Sequence, residues 1–131
     1  MTSKQQSCSR MDFWRRYKMS DCLFCKFANG EFEVKKVFED ENMIIIRDIA
    51  PQAKNHFLMI PKEHYALLED MNDEQAQKFL SCIKKLKTLK KELELDDGFR
   101  IIINQGENGG QTIHHVHVHI LSGEKLGWEK N

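Results

Sequence analysis

The chain has no charge to spare: its 131 residues carry 20 Lys plus Arg against 20 Asp plus Glu. That balance removes any global electrostatic case for a nucleic-acid or membrane-surface partner. Long apolar runs are missing as well, and none approaches the roughly 18–20 residues that a membrane helix needs. The N-terminus is basic but lacks the apolar stretch and small-residue cleavage site of a secretory signal. Four cysteines without such a signal read as thiols in a reducing compartment, so the expected location is the cytoplasm. The length suits one domain with a single core and no staples.

The charge is unevenly spread. Residues 1–18 hold Lys4, Arg10, Arg15, Arg16 and Lys18 against Asp12 alone. This segment is polar, with Phe13, Trp14 and Tyr17 set among cations, and is expected to be a disordered basic extension. The domain proper is expected over residues 19–131. Asp21 is placed to cap a short helix that stops at Asn29-Gly30. VKKVFED and NMIIIRDI read as two strands of a hairpin, and HFLMI, residues 56–60, as a third, ended by Pro61. KEHYALLEDM suggests a short helix from near Lys62.

Asn72 with Gln75 forms a capping-box pattern and opens a helix expected over roughly 73–95. Ala76, Phe79, Leu80, Ile83, Leu86, Leu89 and Leu93 make its buried stripe, and the lysines of 84–91 its solvated face. Cys82, beside the stripe, reads as a packed thiol. FRIIIN, 99–104, and the stretch 114–123 supply two more strands. The sum is α+β: a mostly antiparallel five-stranded sheet with one long and some short helices.

Four of the six histidines fall in HHVHVHILSG, residues 114–123. Val116, Val118 and Ile120 alternate with His115, His117 and His119, so on a strand the apolar residues enter a core and the imidazoles share the other face. A row of imidazoles points to a metal or to a His-based reaction centre. Three ligands from one strand face strain the geometry of a single catalytic ion. A ring nitrogen attacking phosphorus fits better, because the preceding loop 106–112 contains three glycines whose amides can approach an anion. His117, with a histidine on each side to orient it, is the first choice of nucleophile. Cys22 and Cys25 have the spacing of half a zinc site, whose other ligands would come from His56, His64, His114, His115, His117 or His119.

His-Val-His-Val-His-Ile-Leu resembles the histidine triad pattern of the HIT superfamily, with apolar residues between and after the histidines. DIAPQAKNHFLMIPKEH, NQGENGGQTIHHVHVHIL and the Trp near the end are similar to the histidine triad nucleotide-binding (Hint) branch. The likeness runs from about Met19 to Trp128. It implies a HIT-like fold, a homodimer, a purine nucleotide (AMP-like) ligand, and hydrolysis of nucleoside 5′-phosphoramidates through a nucleotidyl-histidine. On that resemblance His117 is the nucleophile, and His119 and His56 contact the phosphate. Asn104, Gly110 and Thr112 serve the phosphate and leaving group, with Thr112 where many members have Ser. Asp48 binds ribose and Ile49 lines the nucleoside pocket. Zinc-containing, bacterial-type members bind a structural Zn2+ through positions matching Cys22, Cys25, His64 and His115, and no organic cofactor is implied. His114 and the charged ending SGEKLGWEKN depart from the pattern, the latter where the leaving group is influenced in relatives. Two other readings stand beside the phosphoramidase: a dinucleoside polyphosphate hydrolase of the Fhit-like branch, and a nucleotide-binding scaffold with residual activity.

Overall fold

The computed structural model describes residues 22–128, so the basic extension expected at 1–18 and the cap expected at Asp21 lie outside the described residues. Helix α1 is Leu23–Ala28, and its N-cap is Cys22, whose sulfur accepts from the Cys25 amide. Asn29 closes the helix and Gly30 follows at φ 82°, the left-handed geometry that a side chain resists.

Strands β1 (Phe38–Glu39) and β2 (Met43–Arg47) form the expected hairpin. Its turn is tied by Asp40, whose carboxylate accepts from the amides of Asn42 and Met43. Strand β3 is Asn55–Pro61, helix α2 Asp73–Lys84, β4 Arg100–Ile102 and β5 Val118–Ser122. All neighbours pair antiparallel in the order β1-β2-β3-β5-β4, so the expected α+β architecture holds.

Register divides the sheet into two faces. Phe57 faces Ile120 and Met59 faces Val118 across β3 and β5, while Leu58 faces His119. One face gathers Met43, Ile45, Phe57, Met59, Val116, Val118 and Ile120 under Phe79, Cys82, Leu86, Leu89, Leu93 and Leu95. On the other, Ile44, Ile46, Leu58 and Ile60 meet Cys22, Phe24 and Cys25 of the α1 segment. Coverage on both sides explains why the central strands read as continuous apolar runs rather than alternating ones.

Several boundaries differ from expectation. The long helix ends at Lys84 and tightens into a 3-10 turn over Lys85–Thr88, where the Thr88 hydroxyl donates to the Lys85 carbonyl. The turns beyond it, with Glu94 at φ 57°, let Leu93 and Leu95 both reach the core, which two residues two apart on one α-helix cannot do. Ala76 and Leu80 of the expected stripe are exposed, the latter at 55%. No helix begins at Lys62, because that backbone is already engaged. The Lys62 amide donates to the Asn42 carbonyl and the Tyr65 carbonyl accepts from Val116, leaving a 3-10 turn at Leu68–Asp70. The last two strands are also shorter than 99–104 and 114–123, and His115 lies in a bend ahead of β5, its amide donating to the Ile113 carbonyl. No helix among the described residues is long and apolar enough to cross a membrane.

The capping box at Asn72 is fully formed, with Gln75 reciprocating. Replacing Asn72 by Ala should cost about 1 kcal/mol and lower Tm by about 4 °C. A melting curve superimposable on that of the parent protein would show that the box contributes nothing.

Candidate active site and metal centre

His115 stands where two sites meet. Its ring is completely buried, and its Nε2–H donates to the Pro61 carbonyl at 2.8 Å. A carbonyl can only accept, so the ring proton sits on Nε2 and Nδ1 presents a lone pair. That lone pair lies 3.3 Å from Cys22 Sγ, 3.6 Å from Cys25 Sγ and 3.2 Å from His64 Nδ1. Cys25 Sγ in turn is 3.2 Å from His64 Nδ1.

Two sulfurs and two ring nitrogens converge here on one point. They are the set a tetrahedral zinc ion takes, whose ligand atoms stand about 3.3–3.8 Å apart given its usual bond lengths. The carbonyl behind His115 also supplies the second-shell support common to metal-binding imidazoles. The residues therefore fit the metal. Hydrogen bonding between the two sulfurs draws the Cys22 thiol far below its ordinary range and pushes Cys25 far above it. Of the six histidines left open by residue type alone, geometry selects His64 and His115.

The second cluster lies on the same sheet face. Its members are Asp48, following β2, His56 on β3 and His119 on β5, with their polar atoms within 4.8 Å of one another. Hydrogen bonding argues against a metal there. The Gln52 amide donates to His56 Nδ1 at 3.0 Å, so the His56 proton resides on Nε2. That nitrogen lies 2.9 Å from His119 Nδ1 and 3.5 Å from Asp48 Oδ2, and a protonated nitrogen cannot ligate a cation. The cluster is a hydrogen-bonded set in which His119 accepts at Nδ1 and so carries its own proton on Nε2.

His117 links the two sites. Its Nδ1–H donates to the His115 carbonyl at 2.7 Å, leaving Nε2 as the ring nitrogen with a lone pair. The ring is buried at 6% exposure and stands 5.0 Å, centroid to centroid, from His119. The imidazole row is thus not a solvated face, since His115 and His117 are enclosed and His119 is half-buried. Burial holds His56 and His117 below the usual imidazole range. It takes His119 down to about 4, aided by the neighbouring His117 and His56.

The glycine-rich loop 106–112 leads into this row along the chain. The loop before it is stapled by Gln111, whose buried amide group accepts from the Gly106 amide and donates to the Ala66 carbonyl. The amides of Gly109, Gly110 and Gln111 donate within the loop, so the expected cradle of free glycine amides is mostly spent internally. Gly109 is required sterically, because a Cβ there would meet the Gln105 carbonyl oxygen. A Cβ on Gly110, at φ 87°, would come within 3.8 Å of the Asn104 side-chain amide. Thr112 is exposed, and Ile49 is entirely so. His114 is half-buried beside the metal cluster. Residue-type reasoning did not single out Gln52, Gln111 or Phe24. A backbone amide that sets a tautomer leaves no mark in sequence.

Residues 29–126 match the model of the HIT domain. The chain belongs to the HIT domain family. Among HIT relatives, an uncharacterized HIT-like protein of Chlamydia muridarum is 39% identical over 105 residues, spanning 80% of this chain and 83% of that one. The crystal structure of a HIT family hydrolase from Legionella pneumophila superimposes with a TM-score of 0.77 at 40% identity, covering 84% of this chain and 99% of the other. A histidine triad protein from Clostridium difficile gives 0.76 at 41% identity, covering 82% and 94%. The antiparallel sheet and main helix described above are the HIT α+β fold of these neighbours.

The lowered imidazole values have a consequence for stability. A histidine whose folded-state pKa lies below 6.5 binds its proton more readily when unfolded, so acid favours unfolding. The stability contributed by neutral His119 is present above 6.5 and is lost as pH falls towards about 4. Tm should therefore drop across that window, less steeply in His119→Asn than in the parent. Equal slopes for the two proteins would refute the assignment.

Proposed function

We propose that the protein hydrolyses purine nucleoside 5′-phosphoramidates, cleaving the P–N bond of an AMP-amine or AMP-lysine type substrate. On this reading it is a zinc-containing member of the Hint branch. The observation that carries the proposal is the hydrogen bond from His117 Nδ1 to the His115 carbonyl, which leaves Nε2 free. Burial keeps that ring neutral, so the nucleophile holds its lone pair near neutral pH. The hydrolase name of the Legionella neighbour agrees with this reaction class.

In the first step Nε2 of His117 attacks phosphorus, the P–N bond breaks, and the amine leaves with a proton from the Thr112 hydroxyl or from solvent relayed by it. In the second, water attacks phosphorus, the bond to His117 Nε2 breaks, and the water's proton returns to Thr112 or solvent, releasing AMP and restoring the imidazole. The Nε2–H of His119 and the side chain of Asn104 stabilise the phosphoryl oxygens, and His56 holds His119 in the donating tautomer. Gly110 keeps the approach open beside Asn104. Asp48 accepts from ribose hydroxyls, and exposed Ile49 packs against the nucleoside. Cys22, Cys25, His64 and His115 would hold zinc, which supplies structural cross-linking and no Lewis acidity to phosphorus. Strand β4 is a sheet edge whose Ile101 is 40% exposed, next to exposed Phe99, which supports pairing with a second copy as a homodimer.

Amine release from adenosine 5′-phosphoramidate is the direct assay. His117→Ala should lower kcat/KM by a thousandfold or more, equivalent to about 4 kcal/mol of transition-state stabilisation, while the fold persists. Activity retained in that variant would move the nucleophile elsewhere. The metal reading is checked by elemental analysis: Cys22→Ser should lose stoichiometric zinc, and zinc that survives the change at one per chain would disprove the ligand set.

A further inference from the structure

Phe24 sits between the two cysteines of α1 and is only 5% exposed. Its ring meets that of His117 at 4.9 Å between centroids and 84°, and that of His115 at 5.9 Å and 77°. Both are edge-to-face contacts, the arrangement aromatic rings favour. The bond from His117 Nδ1 to the His115 carbonyl holds the nucleophile's ring at one atom. Phe24 supplies a wall against the ring itself. What holds Phe24 is the metal-ligand set, since Cys22 and Cys25 flank it and Cys22 Sγ also caps the helix through the Cys25 amide. The six-residue helix is too short to be stable by itself and depends on these anchors and its apolar contacts.

We propose that Phe24 is a positioning residue for His117, and that the Cys22–Cys25–His64–His115 centre acts on the reaction by fixing Phe24 and the His115 carbonyl together. Two restraints on the nucleophile, one polar and one aromatic, thus originate from one cross-linked corner of the fold. The metal centre thereby affects phosphorus chemistry without touching phosphorus. The kinetic part of this inference rests on the phosphoramidase reading, whereas the conformational part does not.

The test compares zinc-loaded wild type with Phe24→Leu, which keeps apolar bulk but removes the ring, and with Phe24→Tyr, which keeps the ring. Nitrogen NMR of the histidine rings at fixed pH should show His117 in a single Nδ1–H tautomer in the wild type. In Phe24→Leu its two ring nitrogens should move towards averaged shifts, and Phe24→Tyr should restore the wild-type pattern. With adenosine 5′-phosphoramidate, Phe24→Leu should lower kcat about tenfold, or about 1.4 kcal/mol, with the Kd for AMP within twofold of wild type. Unchanged His117 nitrogens in Phe24→Leu would overturn the proposal, as would a raised Kd at constant kcat, which would make Phe24 a wall for the nucleoside only. If Phe24→Leu does not fold, Phe24→Met is read by the same criteria. A wild type without turnover would sink the phosphoramidase reading, yet the nitrogen spectra would still decide whether Phe24 orders His117.

Discussion

The backbone and side chain of His115 together form the constraint on which the site depends. The ring gives its proton to the Pro61 carbonyl and its lone pair to the sulfur-rich centre, while the carbonyl of the same residue accepts from His117. A rotation of His115 would therefore disturb the Cys–His donor set and the tautomer of the neighbouring imidazole together. Complete burial makes such a rotation costly, because each of these polar groups would lose its partner away from water.

The two faces of the sheet divide the work. One is sealed by α2 and the leucine-rich turns after it, and supplies the apolar burial that holds a domain of this size together. The other is covered by α1 at the His115 end and left partly open where Asp48 and His119 lie. A gradient of enclosure thus runs along the histidine row. Deep burial at one end suits the closed, tetrahedral metal centre that the four donors there could form, and partial access at the other suits the proposed phosphate chemistry. His117 lies between these ends, enclosed and with the Phe24 ring against its own.

Much of this was legible in residue pattern. Val116, Val118 and Ile120 enter the core as their alternation requires, the Asn72 box forms, and the order of the first helix, the main helix and the five strands holds. The helix end at Lys84 was not legible, since Leu86, Leu89 and Leu93 keep helical spacing although the backbone has left the α-helix. The stretch after Lys62 misled for a related reason. Its helix-favouring residues lose to the distant partners Asn42 and Val116, which claim its backbone groups. Propensity is a weak prior beside such contacts.

The sequence by itself determined the chemistry available: a histidine triad on an alternating strand, a Cys pair at metal spacing, a glycine-rich loop ahead of the triad, and the HIT family that these features signal. Tertiary structure decided what each group does with its protons. Cys22 and His115 are 93 residues apart in the chain, so only folding could select them from among the cysteines and histidines as one donor set. The tautomers of His56, His115 and His117 depend on backbone groups of Gln52, Pro61 and His115 itself. Backbone amides and carbonyls are the same in every sequence, and only their placement gives these three imidazoles different roles.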